Sequence, residues 1–402
     1  MELDHAEHAF GNQRGGDSMK LVFRGRSQGC GAQIVGVATR ETLPYGARAT
    51  RVLVADRLNG EDLRGYGAVI TLAAEAGKPS QGTELPFVFE VPEFADIQSG
   101  HIIAADPQSG TIRVLYRPES IHNFLFVTEM CNSNCVMCSQ PPKERDDRDE
   151  LAERNLAVLG LLESGPQHLT ITGGEPTLLG ERLARLLTVL RDKFPDTRVH
   201  VLTNGRQFAD ISFAAQLAGR LHPNLSWGIP LYSDLPWEHD FVVQSRSAFS
   251  ETLRGLLNLA RWRQRIEIRV VLHAHTVSRL PQLAAFIRRN LTFVEHVALM
   301  GLEHVGFAVG NMRGLWIDPA DYQHELEAAV ETLTVAGMPV SIYNHQLCTL
   351  PRNLWPFARR SISDWKNTFR SECDACSVRP ECGGFFQWNI EKVSRHFGPV
   401  AS

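Results

Sequence analysis

The run Asn123-Phe124-Leu125-Phe126-Val127-Thr128-Glu129-Met130-Cys131-Asn132-Ser133-Asn134-Cys135-Val136-Met137-Cys138 leads an apolar, strand-like segment straight into three cysteines spaced C-x3-C-x2-C. The chain has 402 residues and eight cysteines. Four others, Cys348, Cys373, Cys376 and Cys382, gather near the C-terminus, and Cys30 stands alone as a plain thiol. Clustered cysteines in a large chain without a secretory signal read as metal ligands before disulfides. Three thiolates close in sequence can hold three corners of a four-iron cluster and leave one iron open to an exogenous ligand. Zinc is the alternative, with His122 as a fourth ligand.

Working outward, strand-like runs at 123–128, 168–172, 199–203, 226–231, 266–272 and 297–302 alternate with helical patterns at 148–164, 181–193, 209–219, 246–263 and 279–290. That rhythm predicts an α/β fold with parallel strands. Even spacing, with chemistry at strand C-termini, predicts a partial (β/α)6 barrel over 120–305; an open sheet is the alternative. Before it, 1–19 reads as a flexible lead-in. Residues 20–119 read as a small β-rich domain, with strands at 52–55, 68–72 and 87–91 and a hairpin from 102 to 116. After it, 306–402 holds a helix entered at Asp318-Pro319 and then a loop-rich extension carrying the second cysteine group.

Thr172-Gly173-Gly174-Glu175-Pro176 ends the second strand and so faces the same rim as the cysteines. Two glycines let the main chain approach a ligand closely. Glu175 offers a carboxylate to a cationic amine, and Pro176 fixes the turn. A lone Gly-Gly would be an ordinary strand-to-helix turn, but that does not account for both motifs on successive strands.

The two motifs together resemble the radical S-adenosylmethionine enzymes, over about residues 121–305. In that family the open iron chelates the cofactor, and one electron cleaves it to methionine and a 5′-deoxyadenosyl radical that abstracts hydrogen. The resemblance implies a 4Fe–4S cluster on Cys131, Cys135 and Cys138, and Gly173, Gly174 and Glu175 near the cofactor amine. It further implies Asn204, in Thr203-Asn204-Gly205, Ser233 near the ribose, and Arg269 near the cofactor carboxylate. The plain readings of these three are a tight turn, a loop cap and a solvated charge. Met137 stands where many members carry an aromatic residue; its thioether can still wall the adenine. No residue is assigned to peptide acid–base chemistry.

Cys348, Cys373, Cys376 and Cys382 suffice to close a metal site, and resemble the short SPASM or twitch extensions that hold an auxiliary 4Fe–4S cluster; structural zinc is the alternative. His345, three residues before Cys348, reads as a surface or core histidine, with a ligand role as the alternative. His273-Ala274-His275 reads as packing or a substrate contact, with a metal role as the alternative if the two histidines share an extended face. A narrower resemblance rests on 127–143, 299–303, 343–348 and 361–367. These stretches resemble the HxsC-type maturases of the His-Xaa-Ser system. That implies a ribosomally made peptide with His-Xaa-Ser repeats as substrate, a second radical maturase as companion, and a reductase, flavodoxin or ferredoxin as electron donor.

Composition agrees with this class. The chain is 43% hydrophobic and 21% charged, which excludes wholesale disorder. With 41 basic against 45 acidic residues the net charge is −4, which argues against a nucleic-acid binder. No apolar run reaches bilayer length, and 1–20 lacks the apolar core of a signal peptide. The expectation is a cytoplasmic enzyme, against rival readings as a small-molecule radical enzyme or a non-catalytic metal scaffold.

Overall fold

The computed structural model describes residues 21–28, 32–58, 60–71, 85–91, 97–218, 222–360, 367–389 and 392–401. Cys30, the lead-in 1–19 and the segment 361–366 lie outside the described residues. The chain divides into two compact units, 1–125 with 150–169, and 126–149 with 170–402.

The N-terminal sheet is built from β1 (Val22–Arg24), β2 (Arg26–Gln28), β3 (Ile34–Thr39), β4 (Arg51–Ala55), β5 (Ala68–Thr71), β6 (Phe87–Phe89), β7 (Ile102–Asp106) and β8 (Thr111–Tyr116), in the order β1-β8-β7-β3-β4-β5-β6-β2. The two end strands are consecutive in the chain and separated only by Gly25. One kinked strand therefore pairs with β8 on one side and β6 on the other, and the sheet closes on itself. Closure removes the unpaired edges that an open sheet would expose. Gly25 is required there, because a Cβ would stand 2.4 Å from the Phe89 carbonyl oxygen. The expected hairpin is present as β7–β8. Its turn is tied by the Asp106 carboxylate, which accepts from Gln108 N and Ser109 Oγ.

The larger sheet contains β9 (His122–Phe126), β10 (His168–Thr172), β11 (Arg198–Leu202), β12 (Leu225–Pro230), β13 (Arg265–Leu272), β14 (His296–Gly301) and β15 (Val340–Tyr343), in the order β15-β14-β13-β12-β11-β10-β9. The registered pairs from β11 to β15 are all parallel. The helices are α1 (Arg148–Leu161), α2 (Glu181–Lys193), α3 (Ile211–Ala218), α4 (Pro236–Val243), α5 (Ala248–Arg261), α6 (Ala274–Val277), α7 (Leu280–Asn290), α8 (Phe307–Leu315) and α9 (Gln323–Val335). The α/β class is as expected. The six strands read from the sequence appear within two residues of their expected limits, and β15 adds a seventh from the stretch read as C-terminal extension.

Strand alternation gives the sheet two unlike faces. Val199, Val201, Trp227, Ile229, Ile266, Ile268, Val270, Val297, Leu299 and Ile342 are buried on one face, where α5 and α9 pack against β13 and β15. The other face carries His200, Ser226, Glu267, Arg269, His296 and Ser341. A parallel sheet covered by helices on both faces would be apolar on both, so the polar face is not one packed under a second helix layer. Glu267 is its hub. It accepts from His296 Nδ1 at 2.7 Å and from Arg269 Nη1 at 2.5 Å, and His200 Nε2 stands 3.6 Å away. Burial works to raise the Glu267 pKa, but the His296 hydrogen bond and the Arg269 charge outweigh it and hold the carboxyl at about 2. Gly228 makes room for this layer, since a Cβ there would lie 2.5 Å from His200 Nε2 and 3.0 Å from Arg269 Cδ.

Candidate functional site

Cys131, Cys135 and Cys138 are free and half-buried on the loop after β9. The loop has no regular structure of its own, so its shape comes from partners. Asn134 N and Val136 N donate to the carbonyls of Val243 and Val242 at the end of α4. The Arg206 guanidinium donates to Asn132 O at 2.5 Å and Ser133 Oγ at 3.0 Å, and is itself paired with Glu251. From the α8 side, Phe307 N donates to Cys138 O, and Asn311 Nδ2 to Val136 O. Gly306, at φ +62°, lets that approach happen, as a Cβ would lie 2.3 Å from Cys138 O. At the loop's start, Asp147 accepts from Thr128 Oγ1 and Glu129 N.

Burial pushes the Cys131 thiol up to about 12, with the Glu175 charge adding to it. Burial also raises Cys135 and Cys138, and for Cys135 the neighbouring Cys138 and Cys131 thiols add to the rise. The three sulfurs are thus within electrostatic reach of one another, and Cys138 Sγ donates to Gln140 O at 2.9 Å. Binding a metal group would displace their protons. Among the described residues no three of His, Cys, Asp and Glu converge on a position for a single metal ion.

The glycines of the Gly-Gly-Glu motif have an internal purpose. A Cβ on Gly173 would lie 2.5 Å from Thr128 O, and one on Gly174 2.1 Å from Met130 O. Gly174 N and Glu175 N donate to those same two carbonyls. The close approach read from the sequence as room for a ligand is the approach of the cysteine loop itself. Glu175 is fully buried. Its Oε1 accepts from Thr177 N, Thr177 Oγ1 and Thr203 Oγ1, and its Oε2 from Asn204 N at 2.7 Å. Burial raises its pKa against the opposing pull of these donors. The carboxylate therefore ties the end of β10 to the end of β11. Oε2, with one donor, keeps acceptor capacity.

Asn204 continues the chain of contacts, because its Nδ2 donates to Asn132 Oδ1 at 2.6 Å, inside the cysteine loop. Gly173, Gly174, Glu175 and Asn204 thus adjoin the loop. Ser233 follows β12 but its hydroxyl is committed: it donates to Glu238 Oε2 at 2.6 Å and accepts from Leu235 N, the loop-cap geometry. Arg269 lies on the polar face of β13, bonded to Glu267 and in contact with Met300 Sδ at 3.0 Å.

His122 does not fit the role of fourth ligand. It opens β9 with its ring 4.9 Å from that of His168, whereas the thiols follow the far end of the strand. His273 and His275 do not share an extended face. His273 caps α6, its Nδ1 accepting from His275 N. His345 is a core histidine, bonded to Tyr322 Oη and Tyr343 O.

Cys348, Cys373, Cys376 and Cys382 line one small cavity with Gln346, Phe369, Phe397 and Gly398. The hairpin β16 (Asn367–Thr368) with β17 (Phe385–Phe386) brackets three of them. Burial raises the Cys348 thiol, and the other three thiols add to the rise. Leu347 N and Gly384 N point at Cys382 Sγ at 3.5 and 3.4 Å, and Val400 N at Cys376 Sγ at 3.4 Å. Such N–H groups favour thiolates.

Reading by motif did not single out Arg206, Asp147 or Gly306, which shape the loop. No local pattern marks them, because each acts on residues at least 18 positions away.

Residues 125–225 match the model of the Radical SAM superfamily, about a quarter of the chain. Among solved structures, similar chains include SuiB of Streptococcus suis bound to its precursor peptide SuiA (14% identity, 56% of this chain and 49% of that chain, TM-score 0.43). SuiB bound to S-adenosylmethionine is similar over 71% of this chain and 77% of that chain, at 14% identity and TM-score 0.48. A radical SAM methyltransferase from Sphaerobacter thermophilus is similar over 60% and 73%, at 13% identity and TM-score 0.41. The chain spans about half the length of the peptide-bound SuiB chain. Among curated proteins none matches the sequence. No helix among the described residues is long and apolar enough to cross a membrane.

Proposed function

We propose that this chain is a radical S-adenosylmethionine enzyme that modifies a ribosomally made peptide. The observation that carries it is the cysteine loop: three free, half-buried thiols within electrostatic reach of one another, held from three sides, in the stretch that matches the superfamily. This donor set fits a 4Fe–4S cluster on Cys131, Cys135 and Cys138. When bound, such a cluster supplies the electron for reductive cleavage of S-adenosylmethionine. The chain's own residues bind and orient. Gly173 and Gly174 seat the loop, and Glu175 and Asn204 fix the strand ends beside it. The free capacity of Glu175 Oε2 suits a cofactor amine, Arg269 suits a carboxylate, and Ser233 holds the loop after β12.

The four C-terminal thiols fit an auxiliary 4Fe–4S cluster. Three N–H groups aimed at their sulfurs suit a multi-charged sulfur site, and zinc is the competing occupant. The substrate reading, a peptide with His-Xaa-Ser repeats processed beside a second radical maturase and fed by a flavodoxin- or ferredoxin-type donor in the cytoplasm, rests on sequence resemblance alone.

The test is anaerobic reconstitution. The protein should take up about eight irons per chain with matching sulfide, and form 5′-deoxyadenosine when reduced. Cys135→Ala should lose that product. Cys376→Ala should keep it while modification of a co-expressed His-Xaa-Ser peptide, read by mass spectrometry, disappears. Product formed by Cys135→Ala at the wild-type rate would refute the cluster assignment; about four irons and one zinc would place zinc in the C-terminal site.

A further inference from the structure

Glu267 Oε1 has two nitrogens beside it and is bonded to one. Arg269 Nη1 donates to it at 2.5 Å, while His200 Nε2 stands 3.6 Å away, beyond a hydrogen bond. That Nε2 is buried and has no hydrogen-bond partner among the described residues. The ring is fixed from its other side, where Nδ1 faces Ser226 Oγ at 3.0 Å. The same hydroxyl is 3.4 Å from Val199 O, so the imidazole is its nearer acceptor. With Nδ1 accepting, Nε2 carries the proton of the neutral ring, and burial keeps the ring neutral. Arg269 is held lightly by contrast. Its Nη2 meets the Met300 sulfur at 3.0 Å, a weak acceptor. Met300 pairs with Val271, and Val271 and Cys135 pack against one apolar cluster that contains Met137. The guanidinium therefore reaches from Glu267 along the sheet toward the end that carries the cysteine loop.

We propose that His200 is a positioning residue that takes over Glu267 Oε1 when Arg269 Nη1 turns to the carboxylate of S-adenosylmethionine. This rests on the reading of Arg269 as the partner of that carboxylate. The exchange leaves no group worse bonded. Glu267 keeps His296 Nδ1 at 2.7 Å and replaces one donor by another. Arg269 trades one carboxylate for another, and His200 gains the partner it lacks. A shift of less than 1 Å closes the 3.6 Å gap to a hydrogen bond. Without the His200 N–H, turning Arg269 away would leave a half-buried carboxylate oxygen short of a donor, and that loss would come out of the affinity for the cofactor.

The experiment measures S-adenosylmethionine binding by equilibrium dialysis to the full chain, reconstituted anaerobically and left unreduced so that no cleavage occurs. Wild type is compared with His200→Asn, His200→Gln, Arg269→Ala and the double variant of His200→Asn with Arg269→Ala. The Asn amide stands where Nδ1 stands, so it keeps Ser226 and cannot reach Glu267; the Gln amide puts an N–H near the place of Nε2. Expected is binding about tenfold weaker in His200→Asn, restored toward wild type in His200→Gln. Adding His200→Asn to Arg269→Ala should cost nothing more, because the two act as one unit. Wild-type affinity in His200→Asn overturns the proposal, and so does a full further loss in the double variant. Wild-type affinity in Arg269→Ala removes the reading of Arg269 itself, and a wild type that takes up no iron removes the cluster assignment, so the three failures are told apart. Metal-free proteins supply the second measurement. Because Nε2 bonds none of the described residues, His200→Asn should unfold in urea at a midpoint close to that of His200→Gln. A much lower midpoint, or a chain that no longer retains iron, would make the side chain structural and overturn the positioning role.

Discussion

Removing the Glu175 carboxylate would strand donors from Thr177, Thr203 and Asn204 at once, all at a buried position. Each unsatisfied buried donor costs about 1–3 kcal/mol, less what rotation of the hydroxyls recovers. Glu175→Ala is therefore expected to lower stability by about 2–4 kcal/mol, read from urea unfolding of the metal-free protein. It should also lower iron retention, because the carboxylate holds Asn204, whose side chain donates to Asn132 in the cysteine loop. A variant as stable as wild type would show that the carboxylate serves a ligand alone. The cysteines and the Gly-Gly-Glu run were legible because their meaning lies in local spacing. The purpose of the glycines and the partners of Glu175 were not. Met130 and Thr203 stand 44 and 28 positions from Gly174 and Glu175, and only the parallel sheet brings them together.

Among elements, strands with period-two alternation were readable and the exceptions have causes. β13 buries Ile266, Ile268, Val270 and Leu272 on one face and carries Glu267 and Arg269 on the other, so its pattern names it. β15 has four residues, too few for alternation to speak, and takes its identity from pairing with β14. The closure of the N-terminal sheet was equally hidden, because β1 and β2 have three residues each and their partners lie up to 91 positions away. Gly25 is where that closure can be tested. A side chain there must displace the Phe89 carbonyl, which stands on β6. Gly25→Val is expected to cost about 2–4 kcal/mol by strain and lost pairing, seen as a lower urea midpoint with reduced far-ultraviolet strand signal. An unchanged midpoint would mean that the kink relaxes without opening the sheet.

Taken over the whole molecule, buried histidines give stability a definite pH dependence. Burial lowers His200, His239 and His304 to about 4 and His273 to about 3, against 6.5 for an ordinary imidazole. A depressed folded-state pKa means the unfolded chain binds the proton first. The stabilisation is therefore complete above pH 6.5 and is lost as pH falls toward 4, at up to about 1.4 kcal/mol per pH unit for each histidine. Glu267, held at about 2, extends the loss below pH 4.5. Glu175 runs the other way. Its raised pKa gives a contribution that is complete below 4.5 and fades as pH rises through the folded value, so it offsets one of the histidines over part of the range. Several groups against one leave the sign settled: urea midpoints should fall steadily from pH 7 to pH 4.5. His239→Gln should make that fall shallower by close to one proton, since Gln can still accept from Tyr232 N but does not titrate. A midpoint flat across this window would mean that these imidazoles take up protons in the folded chain as readily as in the unfolded one.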